Sequence, residues 1–258
     1  MKTAVRRLLL GLGILTVACS SATPLPNKPA HILVGEPCSS SFDRQKEELE
    51  ALLSEFEDPE RADHMPSTNN ILALEITYQG TSGRMLNNAT AYQISDNYLV
   101  TAAHVFSKNG EFVAYTNGTA SNQASSFQVE HTRLNPYEDV ALVKIRNSTF
   151  GKVNADVSYR TAKGDRIELW STDAISSHRL LEAGYSNLTL ASETFRQGTS
   201  GSAVFNENNE LIGVIKAMAG TANYDGSVHW KSYIAAGAGH FESLVKKELE
   251  EFGGIPRC

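Results

Sequence analysis

Ten short runs rich in β-branched and aromatic residues, separated by Gly, Asn and Ser, fill the chain from residue 71 onward: ILALEITYQG, ATAYQI, NYLVTAA, EFVAYT, SFQVEHTRL, DVALVKI, DRIELWS, SAVFN, LIGVIKA and VHWKSYI. Runs of this length with turn formers between them pair as antiparallel strands and close into a sandwich or a barrel. No helix-length periodic segment lies between them, so the βαβ crossovers that a parallel sheet requires are excluded. The expectation is one all-β domain over residues 66–252, and 41% hydrophobic with 20% charged residues is an ordinary globular composition that supports it.

A helix is expected at each end of that domain. In SFDRQKEELEALLSEF, Leu49, Leu52, Leu53 and Phe56 recur at helical spacing on a charged background, with Ser41 or Asp43 as N-cap and Pro59 beyond the end. This amphipathic extension, residues 42–65, either packs on the back of the β domain or serves as a pro-segment or partner-binding arm. GHFESLVKKELEEF repeats the pattern with Phe241, Leu244, Val245 and Phe252, before a tail at residues 253–258.

Residues 1–18 have a different character. Lys2, Arg6 and Arg7 precede LLLGLGILTVA, an apolar run too short to span a bilayer in the mature chain, and the combination reads as an export signal. LTVAC resembles the lipobox of bacterial lipoproteins, in which the cysteine, here Cys19, becomes the lipidated first residue. Thr16 stands where that motif has leucine, and cleavage after Ala22 is the other site that small residues permit. The expected location is therefore exported: held by lipid on the bacterial cell envelope, or secreted. Residues 19–41, rich in Pro and Ser, suit a tether.

Loss of three basic residues with the signal takes the formal charge from −6 to −9, so no basic footprint for nucleic acid remains. With Cys19 lipidated, Cys38 and Cys258 either close a disulfide in an oxidising compartment, joining the two ends of the mature chain, or stay as separate thiols. No two histidines stand at i, i+4 with the glutamate of a metalloprotease, and no glycine-lysine loop offers a phosphate cradle, so neither metal nor cofactor is expected.

The stretch RQGTSGSAVFN sets Ser200 between glycines at the start of an apolar run. A serine hydroxyl is a weak nucleophile at neutral pH unless a histidine takes its proton and a carboxylate fixes that histidine's tautomer. Of the seven histidines, His104 alone ends a clear apolar strand and enters a small-residue turn, in YLVTAAHVF. Asp139 opens DVALVKI after the loop LNPYE, where a loop meets a strand.

TAAHV, DVALVKI and GTSGS, in that order, resemble the histidine, aspartate and serine blocks of the chymotrypsin-like and trypsin-like serine proteases, in the style of bacterial exported peptidases such as the glutamyl endopeptidases and the high-temperature-requirement group. AVFNENNELIGVIKA extends the resemblance as a strand-turn-strand hairpin with Asn208 and Asn209 in the turn. The resemblance implies two β-barrels, with His104, Asp139 and Ser200 as catalytic residues and the N–H groups of Gly198 and Ser200 as an oxyanion hole. It also implies a protein or peptide substrate.

Three positions depart from the family pattern. Thr199 stands where animal digestive members carry an aspartate that pairs with a newly cut N-terminus, so HILVGE at residues 31–36 only superficially resembles their activation sequence. Thr194 stands where proteases that cut after Lys or Arg have an aspartate, and Ile215 where glutamyl endopeptidases have a histidine. As substrate-binding positions, Thr194 and Ile215 point by elimination to a small or hydrophobic P1 side chain. The alternative is an inactive protease-fold binding module on the cell surface. A serine α/β-hydrolase would need its histidine after Ser200 and a glycine two residues past it, where this chain has Ser202.

Overall fold

A computed structural model describes residues 40–57, 65–80, 83–108, 111, 112, 114, 115, 117–147, 149, 152–184, 187–191, 198–222 and 228–254. Helix α1, Ser40–Glu57, precedes the strands and helix α2, Gly239–Gly254, follows them. The first group of strands is β1 (Ile71–Gly80), β2 (Gly83–Gln93), β3 (Tyr98–Thr101), the two-residue pair β4 (Ser107–Lys108) and β5 (Glu111–Phe112), β6 (Asn117–Ser121), β7 (Ser126–Asn135) and β8 (Val140–Ile145). The second group is β9 (Arg166–Trp170), β10 (Ile175–Ala183), β11 (Asn187–Ala191), β12 (Ala203–Asn206), β13 (Leu211–Ala222) and β14 (Val228–Gly237).

Each group closes on itself. The first barrel runs β1-β2-β3-β8-β7-β6 and the second β10-β11-β14-β13-β12-β9, every pairing antiparallel. The fold is the expected all-β, chymotrypsin-like double barrel with a helix at each end.

The two-residue period of a strand sorts side chains between cores. On β3 and β8, Leu99 and Val143 are opposite one another in register and face the first barrel's interior with Leu72, Leu74 and Ile76. Their neighbours Tyr98, Val100 and Leu142 turn the other way, into a cluster on the seam between the barrels. Tyr92 and Phe205, one from each barrel, meet there edge to face with centroids 5.1 Å apart. Ile167, Leu169, Leu190 and Val204 fill the second barrel.

Both helices close the seam. Leu49, Leu52 and Phe56 of α1 and Phe241, Leu244 and Val245 of α2 are buried in that same cluster. Glu48 of α1 is also buried, and its carboxylate accepts from the backbone N–H and the side-chain amide of Asn97 at 2.8 and 2.9 Å. Of the two roles open to the first helix, packing on the β domain is the one the described residues carry.

The boundaries differ from the expectation in particular places. Helix α1 begins at Ser40, ahead of the expected cap at Ser41 or Asp43, and α2 continues to Gly254. Strands β6, β10 and β11 were not among the expected runs: β6 is NGTAS, and β10 alternates exposed and half-buried positions with Leu180 alone fully buried, so neither carries an apolar signature. Pairing on both sides within a closed barrel makes them strands. Among the described residues of EFVAYT, only Glu111–Phe112 forms a strand. The expected tether, 19–41, gives up its last two residues to α1; its residues 19–39, with Cys19 and Cys38 among them, and Cys258, Thr194 and the side chain of Phe252 lie outside what is described.

Candidate active site

His104 lies in a single 3-10 turn, Ala103–Phe106, at the end of β3. The residue before this turn, Ala102, has no capping side chain, and Asp139 Oδ1 instead accepts the His104 N–H at 2.7 Å. Asn87 of β2 ties the turn from the other side, its amide donating to the carbonyls of Val105 and Ser107 at 2.9 and 3.0 Å. The Tyr78 hydroxyl adds a 2.7 Å bond to the Val105 carbonyl.

Asp139 is the last residue of the turn into β8 and has φ +55°, a left-handed conformation that Asp tolerates better than most side chains. Its Oδ2 lies 2.8 Å from His104 Nδ1. A carboxylate only accepts, so Nδ1 carries the proton and Nε2 presents a lone pair. That lone pair meets Ser200 Oγ at 2.9 Å. The structure thus brings together the three residues singled out in the sequence, two from the first barrel and one from the second. The His104 ring keeps 42% of its surface exposed, so the pair opens to solvent. A groove of about 580 Å³ runs beside it, lined by Leu86, Asn87, Asn88, Val105, Gly198 and Ser200 among others.

The serine loop depends on two left-handed glycines, Gly198 at φ +97° and Gly201 at φ +81°. Gly201 has no room for a side chain: a Cβ there would sit 2.0 Å from Thr101 Oγ1 and 2.1 Å from the Thr90 carbonyl oxygen. Its N–H donates to the Ile215 carbonyl at 2.7 Å, and Ser202 N–H to the Thr199 carbonyl at 3.0 Å. In a trans peptide the N–H points opposite to the carbonyl, so anchoring the Thr199 carbonyl on Ser202 turns the Ser200 N–H away from the loop's interior.

Ile215 lies elsewhere. It is 1% exposed, and its side chain belongs to the second barrel's core with Val204, Leu190 and Ala235 rather than to the groove beside Ser200. Its contribution to the site is main-chain: the carbonyl takes Gly201, and the N–H donates to the Ser202 carbonyl at 2.9 Å. Alternation on β13 explains the placement, since an apolar residue at an inward position of a closed barrel is drawn into its core.

Sequence reasoning did not single out Thr90. It is fully buried, its hydroxyl donates to the Gly198 carbonyl at 2.9 Å, and its N–H donates to the Ser200 carbonyl at 2.9 Å. Thr101 donates in turn to the Thr90 carbonyl at 2.7 Å. The available signal was a lone hydroxyl in ATAYQI on the same strand face as Tyr92, where an apolar side chain is the usual occupant.

The description "trypsin-like peptidase domain" matches residues 89–214. No curated protein matches the sequence. Among solved structures the chain is similar to Rv3671c from M. tuberculosis H37Rv, crystallised as a serine-to-alanine mutant in its inactive form, at 15% identity and a TM-score of 0.49, over 70% of this chain and 86% of that one. The matched segment begins one residue before Thr90 and ends on the strand behind the Ser200 loop, and the match supports a trypsin-like serine protease family for this chain.

Proposed function

We propose that this chain is an exported serine endopeptidase working through an acyl-enzyme. What supports the reading above all is the continuous relay from Asp139 Oδ2 through His104 to Ser200 Oγ, with contacts of 2.8 and 2.9 Å. Ser200 Oγ attacks the peptide carbonyl carbon while its proton passes to His104 Nε2, and the carbonyl π pair moves onto oxygen. The N–H groups of Gly198 and Ser200 receive that oxyanion. Collapse of the tetrahedral intermediate breaks the C–N bond, and His104 returns the proton to the leaving amine. Water, deprotonated by His104, then releases the acyl group. Asp139 stabilises the imidazolium throughout.

The substrate is a protein or peptide. A small or hydrophobic P1 residue is favoured because Thr194 stands where the aspartate that would select Lys or Arg would be. Export rests on the charged start and apolar run of residues 1–18, and attachment to a membrane on lipidation of Cys19.

The test is fluorophosphonate labelling of the full chain in detergent, with peptide mapping, beside Ser200→Ala and His104→Ala. Labelling at Ser200 that disappears in both variants is expected. A folded wild-type chain that takes no label would overturn the reading in favour of a binding module.

A further inference from the structure

Thr90 touches the serine loop at two of its carbonyls, those of Gly198 and Ser200, which lie in the peptides on either side of the one that carries the Ser200 N–H, so the two contacts bracket that donor. Gly198 is left-handed and has no side chain, so its backbone is permissive. One contact that holds it comes from the other barrel. A hydroxyl has one proton, and Thr90 spends it on Gly198; in its 3.5 Å contact with Thr172 the Thr90 oxygen is therefore the acceptor. The Thr90 side chain is fully buried, and deletion of its hydroxyl leaves the Gly198 carbonyl without that partner.

Building on the proposed peptidase chemistry, we infer that Thr90 is a positioning residue for the oxyanion hole: its hydroxyl and N–H, held by the Thr101 bond to its own carbonyl, lock the Gly198–Ser200 backbone of the second barrel onto the first. The relay residues His104 and Asp139 sit on the first barrel as well. One strand residue thereby registers the two oxyanion donors against the base.

The inference separates from a purely structural role because it concerns a hydroxyl rather than a volume. With a p-nitrophenyl ester of a short acyl chain and the full chain in detergent, Thr90→Val, which keeps the branched shape, is expected to lower kcat about 10- to 100-fold with KM within about twofold, less than outright loss of an oxyanion donor and up to the scale of a misplacement of about 1 Å. Thr90→Ser, which keeps the hydroxyl, is expected to restore most of kcat, and the thermal midpoints of the two variants are expected to lie close together. Thr90→Val with wild-type kcat would overturn the inference while leaving the peptidase reading intact. Thr90→Ser falling as far as Thr90→Val would overturn it too. If Thr90→Val does not fold, the ratio of kcat between Thr90→Ser and Thr90→Ala decides: about tenfold or more in favour of serine supports it, and equality overturns it. A wild-type chain that neither turns over the ester nor takes a fluorophosphonate removes the underlying reading, and the inference with it.

Discussion

The two barrels supply the cleft in different ways. The first delivers His104 and Asp139 on turns that are tied to each other: the aspartate caps the histidine's own turn through Oδ1 while holding its ring through Oδ2. The second delivers Ser200 on a loop with two left-handed glycines, and that loop leans on the first barrel through Thr90 and on its own strand β13 through Gly201. A base needs its tautomer and orientation fixed, which a carboxylate does locally. An oxyanion hole needs outward-facing N–H groups, and this loop of permissive backbone combines its own Ser202–Thr199 bond with contacts from Thr90 on the other barrel.

The largest test of this contrast is removal of the relay. Ser200→Ala and His104→Ala are each expected to lower kcat by about 10⁴- to 10⁶-fold, with the double variant little worse than either, measured on a generic ester. Additive losses would mean that the two barrels act independently. Asp139→Asn is expected to cost about 10⁴-fold, since an amide on Nδ1 favours the wrong tautomer. Gly201→Ala addresses the second barrel's side: a methyl 2.0 Å from Thr101 Oγ1 at φ +81° must push the loop off its support. A fall in kcat of about 10²-fold or more is expected, together with a lower thermal midpoint. If Gly201→Ala were silent, the loop would not depend on the first barrel as described.

Leu52→Ala probes the seam that joins the barrels. Leu52 is fully buried in the cluster shared by both helices, and its truncation is expected to cost about 2–5 kcal/mol in chemical denaturation. The smallest effect is one of pH. Burial alone would raise the Glu248 carboxyl, but His131, with Nε2 2.7 Å away, and Arg133 hold it below its ordinary 4.5. Its contribution to stability is therefore present above pH 4.5 and lost as pH falls through the lower folded value. Burial raises Glu48 above 4.5, against the bonds from Ser95 and Asn97. That contribution is present below 4.5 and fades as pH rises through the folded value. The loss caused by Glu248→Gln should thus be greater at pH 7 than at pH 4. Glu48→Gln should compare better with wild type at pH 7 than at pH 4. Thermal midpoints at the two pH values check both signs.

How much of this the sequence discloses depends on the residue. His104 and Asp139 sit where apolar strands meet turns, so the strand pattern itself marks them, and β1 and β7 follow the expected runs within a residue. Ser200 is marked by its glycines, and Gly201 carries a reason that only the neighbouring barrel supplies. Strands β6 and β10 have no apolar alternation because closure of the barrels, rather than burial of one face, makes them pair. Ile215 reads as a specificity position by alignment and is in fact core, since a barrel's inward positions claim apolar side chains first. Thr90 stayed hidden because its partners lie 108 and 110 residues further along, at Gly198 and Ser200.

The seam has a consequence for the order of synthesis. Helix α1 leaves the ribosome ahead of either barrel, yet Phe241, Leu244 and Val245, which share its cluster, are made after every strand. A nascent chain that has completed every strand still lacks one wall of the core between the barrels, and non-local contacts of this kind form late. Because His104 and Ser200 approach from opposite barrels, the geometry of the cleft rests on a seam that is complete only once α2 has docked.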